Sequence, residues 1–367
     1  MKSTKRSVWM LTLVLLAVPL AVEAQTYTFI DLAPSGFTYS FGTGISGSQQ
    51  VGYGYGPDGN YQALLWSGTA TSALNINPSG YTRSWAYGIS GGQQVGYGWN
   101  GSNYHALMWS GTSASAVDLN PSGCTRSYAF GISGGQQVGY GTATNYSTHA
   151  LLWSGTAASA VDLTPGGFTY SQARGISGGQ QVGYGFGPSS GGNIHALLWS
   201  GTTASAVDLN PSGFTNSLAF SISSGQQVGE GSGPATGNNT HALLWTGTAA
   251  SAVDLNPSGF ARSWAAGVYD GHQVGWGYGP STGNNSNAML WSGTAASAVD
   301  LQNFLPSNFT SSAAGGIDAN GNIIGEAFNA FTGNWDAILW VAVPEPATVW
   351  LLALGGLLVL CRLRNHR

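Results

Sequence analysis

Tryptophan returns along this chain at a nearly constant interval. Trp66, Trp109, Trp153, Trp199, Trp245, Trp291 and Trp340 stand 43, 44, 46, 46, 46 and 49 residues apart. A period of that size marks one supersecondary unit that cannot bury its apolar face alone and must stack on copies of itself. A second anchor moves with the first: Val51-Gly52, Val95-Gly96, Val138-Gly139, Val182-Gly183, Val228-Gly229, Val274-Gly275 and, last, Ile324-Gly325. From each tryptophan to the next anchor glycine the count is 30 in five cases and 34 in the sixth, whereas from glycine to tryptophan it runs from 13 to 16. Most of the length variation therefore sits in one loop.

Each unit divides into four short runs of strand character, which in the fourth copy are 160–163, 171–176, 180–185 and 195–199. Asn/Thr-Pro-Ser/Gly-Gly, Ser-Gly-Gly and a Gly/Pro/Ser/Asn loop separate them, the chemistry of turns. Four strands in about 45 residues, seven times over, predict an all-β fold, a seven-bladed β-propeller with four short antiparallel strands per blade. The first copy opens with Thr28–Leu32 where later copies carry Ala-Val-Asp-Leu, and the last ends with Ala337–Trp340, so seven complete units fit between the two ends. The alternative is an open β-solenoid of the same units, which would need caps for its exposed edges. Period-two alternation in Val51-Gly52-Tyr53-Gly54-Tyr55 puts bulk on one face and glycine on the other. The expected packing therefore slots the rings of one sheet against the bare side of its neighbour.

Composition narrows the class. Glycine occurs 57 times in 367 residues, charged residues make up 7%, and Phe, Tyr and Trp number 43. Usual usage is about 7% Gly and about 25% charged. Disorder is excluded by the aromatic content, and collagen by the absence of a three-residue glycine period. Residues 25–341 carry four Arg and no Lys against twelve Asp and Glu, a net charge near −8, which argues against nucleic acid and anionic lipid as partners.

The two ends read differently. Lys2, Lys5 and Arg6 precede an apolar run from Val8 to Val22 and a small-residue cleavage pattern at Val22-Glu23-Ala24, so residues 1–24 are expected to be a helical secretory signal peptide. At the other end, residues 342–367 hold Val343-Pro344-Glu345-Pro346, an uncharged stretch from Ala347 to Cys361, and the basic cluster of Arg362, Arg364 and Arg367. This order resembles the PEP-CTERM sorting signal. The resemblance implies an exopolysaccharide-producing Gram-negative bacterium, an exosortase as processing partner near Pro344–Pro346, and membrane contact through a C-terminal transmembrane helix before processing. The expected location is the cell envelope, cell surface or extracellular matrix.

The repeats resemble the HAF-repeat family of extracellular bacterial proteins through His105-Ala106-Leu107-Met108-Trp109 and the matching stretches His149–Trp153, His195–Trp199 and His241–Trp245, with Leu in place of Phe throughout and Gln62, Asn287 and Asp336 in place of His in the other copies. That resemblance implies an extracellular repeat protein and no established reaction.

Chemistry-bearing residues are few. The four repeated histidines would lie on a ring, too far apart to share one ion at about 2.0–2.1 Å, and are expected to bond a neighbouring turn. Asp31, Asp118, Asp162, Asp208, Asp254 and Asp300, with Asn75 in the second copy, recur alone before a turn, which suits Asx capping better than calcium. No metal and no cofactor is expected. Cys124, the one cysteine between the two ends, stands where other copies carry Phe37, Tyr81, Phe168, Phe214 and Phe260, a small buried hydrophobe. Glu230 and Glu326 break the repeat by replacing the tyrosine of the third run, and paired carboxylates could serve a carbohydrate-active enzyme; Trp276 occupies the same position in the copy between them. Tyr61, Tyr104 and Tyr146, beside amide-rich loops, are candidate glycan contacts. The expectation is a non-catalytic, exported surface or matrix repeat protein contacting exopolysaccharide, with an enzyme using the late acids as the alternative.

Overall fold

The computed structural model describes residues 26–343; the expected signal helix and C-terminal transmembrane helix lie outside them. Among the described residues no helix is long and apolar enough to cross a membrane, and the helical elements are short 3-10 turns such as Ala70–Ser72 and Pro188–Ser190.

Each repeat folds as an antiparallel meander. In the first, Tyr39–Ser46 pairs with Gln49–Tyr55, which pairs with Tyr61–Trp66, which pairs with the two-residue strand Leu74–Asn75. Positive-φ glycines close the hairpins, as at Gly47 (φ 56°), where a Cβ would be strained. The Ala-Val-Asp-Leu run does not open a new sheet, as the sequence reading has it, but closes the preceding one: Val161–Asp162 pairs with Thr148–Trp153. This offset by one strand closes the ring. Thr26–Asp31 joins the last sheet beside Asn334–Val343, Ile323–Asn329 and Phe309–Ile317, and the Leu32 amide donates to the Ala337 carbonyl at 2.8 Å. The chain is an all-β propeller, and the open solenoid is excluded because its first and last strands share a sheet.

The expected count of seven separate blades needs correction. Hydrogen bonding yields five four-stranded sheets and one eight-stranded sheet. In the large sheet a single parallel pair, Thr148 with Tyr170, bridges the third repeat to the fourth.

Apolar clusters lie between successive sheets. Val51, Ala63 and Leu65 of the first repeat meet Ala86, Ile89, Leu107 and Trp109 of the second, while Leu64 and Trp66 point the other way, onto Ile324 and Leu339. All seven repeat tryptophans are fully buried, each contributing roughly 1.5–3 kcal/mol by area. The expected role of the anchor glycines is corrected here. A Cβ on Gly52 would lie 1.8 Å from the carbonyl oxygen of Phe41, in the same sheet, where a bulge between Gly42 and Gly44 presses the inner strand inward. The glycine that admits a neighbouring sheet is Gly42, whose Cβ would meet Ile324 at 2.5 Å.

Polar groups repeat as regularly. An alanine amide near the start of the third strand donates to a buried serine hydroxyl of the next repeat at 2.9–3.0 Å: Ala63 to Ser84, Ala106 to Ser127, Ala150 to Ser171, Ala196 to Ser217, Ala242 to Ser263, Ala288 to Ser312. A seventh bond runs from Ala337 to Ser40. The second glutamine of Gln-Gln-Val-Gly clamps the turn after the tryptophan, Gln50 Oε1 accepting from the Gly68 amide at 2.9 Å.

Candidate functional site

The repeated histidine and aspartate are partners. His105, His149, His195 and His241 each place Nδ1 2.5–2.7 Å from Oδ2 of Asp118, Asp162, Asp208 and Asp254, across the third and outer strands of one sheet. In two of the three repeats where the histidine is replaced the pair persists in amide form, Asn75 donating to Gln62 and Asn287 to Asp300; in the seventh Asp336 accepts from Asn329 instead. The other aspartate oxygen accepts the amide two residues on, as in Asp118 with Asn120 at 2.8 Å. The expected Asx cap is thus present, and the histidine holds the cap in place. Among the described residues no group of three His, Cys, Asp or Glu is gathered that could hold a metal. Cys124 packs with the cluster around Val95, Leu119 and Trp153, and burial pushes its thiol pKa up.

The three tyrosines separate. Tyr61 and Tyr104 flank Trp85, with ring centroids 5.7 and 5.9 Å away, the middle of an aromatic run along the first three repeats. Tyr104 and Tyr146 then meet in one open cleft of about 520 Å³ between the second and third repeats, together with Trp99, Asn103, Arg126 and Thr144; Tyr61 is not among its lining. Local structure fixes the walls. Trp99 ends one strand and Tyr104 begins the next, opposite each other in register with centroids 4.9 Å apart. The loop between them is held by Asn100, whose Oδ1 accepts from the amides of Ser102 and Asn103 at 3.0 and 2.9 Å. Across the cleft Tyr146, 81% exposed, sits at the left-handed φ of 65°, and Arg126 is exposed at the start of the inner strand. Three aromatic rings, one amide and one guanidinium around an open trough can stack on a flat apolar ring face and bond its hydroxyls. Sequence reasoning missed Trp99 and Arg126, because only the pairing of adjacent repeats puts them beside Tyr104 and Tyr146.

The two glutamates do not share a cleft. Glu326 lines a small pocket that does not include Glu230, and the intervening repeat contributes Trp276 there. Glu230 is largely buried with Oε2 unpartnered, and desolvation pushes its pKa up to about 7; burial pushes that of Glu326 up to about 8. Of the sorting motif, Val343 is described and exposed; Pro344, Glu345, Pro346, Arg362 and Arg364 lie outside the described residues.

Comparison with known structures agrees on the fold. The chain is similar to the β-propeller domain of the Trilobed protease from Pyrococcus furiosus (TM-score 0.56, 10% identity, 82% of this chain and 95% of that one). It is also similar to a puromycin-hydrolysing peptidase of Mycobacterium tuberculosis (0.55, 12%, 84% and 54%) and to an acylaminoacyl peptidase (0.53, 9%, 85% and 54%). The chain spans about half the length of the puromycin hydrolases it matches, and at these identities the likeness is one of fold alone. No curated protein matches it in sequence. Residues 342–365 match the PEP-CTERM protein-sorting motif, the mark of an exported, exosortase-sorted protein of the Gram-negative cell envelope.

Proposed function

We propose that this is a non-catalytic repeat protein of the cell surface or extracellular matrix that contacts exopolysaccharide through the cleft between its second and third repeats. The observation that carries this reading is the convergence of Trp99, Tyr104 and Tyr146 with Asn103 and Arg126 around one open trough. The sorting motif at 342–365 supports delivery to a surface where polysaccharide is the abundant partner. The HAF-repeat resemblance belongs to the same reading, as does the division into a signal peptide (1–24), a propeller (25–341) and a sorting tail (342–367).

Glycan-array binding by the purified chain tests it. Binding to hexose polymers that falls at least tenfold in Trp99→Ala and Tyr104→Ala, with the thermal unfolding midpoint retained, supports the proposal. Equal binding by wild type and both variants overturns it. Saccharide turnover that is lost in Glu230→Gln or Glu326→Gln would establish the enzymatic alternative instead.

A further inference from the structure

The ring breaks its own symmetry at one place beside the axis. Seven inner strands line a central channel of about 300 Å³ with one triplet each, from Thr43-Gly44-Ile45 round to Gly315-Gly316-Ile317. The leading residue of the triplet is Tyr87, Phe130 and Phe220 in three repeats but Ala266 in the sixth and Gly315 in the seventh. Two positions earlier, Phe41, Trp85, Tyr128 and Trp264 have Ala313 as their counterpart in the seventh. The missing rings leave a pocket of about 270 Å³ opening beside the channel, walled by Tyr53, Tyr87 and Trp276. Glu326 is set into it.

Three aromatic rings around one carboxylate are the recognition chemistry of an organic cation: ring faces attract positive charge, and the acid neutralises it. We propose that this pocket binds a small organic ammonium, with Glu326 as counter-ion and Trp276, Tyr53 and Tyr87 as the cage. The site is separate from the cleft between the second and third repeats and does not depend on it.

Three further observations agree. Trp276 is stacked on Trp264 with centroids 3.7 Å apart and planes 15° from parallel, so its indole is held in place before any ligand arrives. Tyr53 stacks likewise on Phe41 at 5.0 Å. The surrounding body carries twelve acids against four arginines and no lysine, which favours cationic ligands at a distance. The titratable groups facing Glu326 are the phenols of Tyr53 and Tyr87, both raised chiefly by burial and to a lesser extent by the carboxylate itself, and Arg174, on the fourth repeat, lines the central channel. Burial pushes the Glu326 pKa up to about 8, so a fixed cation competes with a proton for this carboxyl.

Titration calorimetry of the full chain with tetramethylammonium chloride, at constant ionic strength and at pH 6 and pH 9, tests the proposal. Neither probe nor aromatic cage titrates across this range. Saturable binding is expected at pH 9, at least tenfold weaker at pH 6, as proton competition for a carboxyl of raised pKa requires. Glu326→Gln should weaken it at least tenfold and remove the pH dependence, while Trp276→Phe, which keeps a ring in the wall, should stay within about threefold of wild type. Choline should bind at least tenfold more tightly than its uncharged isostere 3,3-dimethyl-1-butanol. Absence of saturable binding at pH 9, equal binding by Glu326→Gln, or equal binding of choline and the neutral alcohol would each overturn it.

Discussion

The Ser40 hydroxyl accepts a 2.9 Å hydrogen bond from the backbone amide of Ala337, 297 positions further along the chain. It is the same bond that joins every other pair of successive repeats, here made between the first and the last. Beside it the Leu32 amide donates to the Ala337 carbonyl and the Trp66 indole donates to the Leu32 carbonyl at 3.0 Å. Ring closure thus reuses the amide-to-serine contact of every other junction and adds an indole bond that Trp109, Trp153, Trp199, Trp245 and Trp291 do not make among the described residues, and the N-terminal strand supplies the fourth strand that the last repeat lacks.

Ser40→Ala removes the closing bond by itself, since among the described residues the Ser40 hydroxyl lacks the second, side-chain partner that Ser84, Ser127, Ser217, Ser263 and Ser312 have. Both donor and acceptor are buried, and an amide left without its partner is destabilising by about 1–3 kcal/mol. Ser127→Ala, which orphans the Ala106 amide, is the internal comparison. A larger shift of the urea unfolding midpoint is expected for Ser127→Ala, because Ser127 also donates to Asn120 Oδ1 at 2.7 Å, whereas Ser40 makes the amide bond alone among the described residues. Removal of residues 26–32 should do more, exposing the edge of Asn334–Val343 and giving rapid proteolysis near the C-terminal end of the body; a truncated chain as resistant as wild type would show that closure contributes little.

Two glycines separate space from backbone conformation. Gly52 sits in extended structure, yet its Cβ would lie 1.8 Å from the Phe41 carbonyl, so Gly52→Ala must force the two strands apart and should cost more than about 3 kcal/mol. Gly166 has open space around it and no positive φ, so Gly166→Ala should be neutral or stabilising by up to about 1 kcal/mol through the unfolded chain. Thermal unfolding of the two variants in parallel checks both expectations.

The histidine–aspartate pairs predict interchangeable repeats. Both members are partly exposed, so breaking one pair by His105→Ala should cost no more than about 1 kcal/mol. Installing the first repeat's solution, His105→Gln with Asp118→Asn, should restore stability to within about 0.5 kcal/mol of wild type, because Gln62 and Asn75 already make that bond. A double-mutant cycle with zero coupling would mean that the two side chains merely lie side by side.

Much of this was legible in the sequence because repetition exposes what a single unit hides. The tryptophan interval, the Val-Gly anchor and the Asx position before each turn all reappear in the structure as the same feature seven or nearly seven times. What escaped was whatever depends on contact between units. The histidine and the aspartate are thirteen residues apart, and nothing in either position names the other until the third and outer strands are paired. The glycine of the anchor faces its own sheet because a bulge in the adjacent inner strand brings the Phe41 carbonyl against it, and a bulge leaves no mark in a period-two pattern. Trp99 and Arg126 belong to different repeats, so the cleft they share with Tyr104 and Tyr146 exists only once the sheets are set side by side. The bridge from Thr148 to Tyr170 merges two repeats into one sheet by a single pair, below the resolution of any periodicity.

The buried acids predict how stability varies with pH. Desolvation raises Glu326 to about 8 and Glu230 to about 7, against roughly 4.3 for an unperturbed glutamate. A carboxyl whose folded pKa lies above its unfolded value is protonated more readily in the folded state, so its favourable contribution is complete below about pH 4, declines through the interval between the two values, and is gone above pH 8. Stability should therefore fall as pH rises from 5 to 9, the reverse of a protein held by ion-paired carboxylates. Asp31, Asp300 and Asp336, also raised by burial, act in the same direction. Glu326→Gln removes the ionisation while keeping the shape, and should raise the unfolding free energy at pH 9 by on the order of 1–3 kcal/mol while changing it little at pH 5. Glu230→Gln should do the same with the midpoint of the effect about one pH unit lower. Unfolding midpoints measured at intervals from pH 5 to pH 9 for wild type and both variants decide the matter: a wild-type curve that is flat or rising over that interval, or a Glu326→Gln curve parallel to it, would show that the carboxyl is solvated in the folded ring and ionises freely.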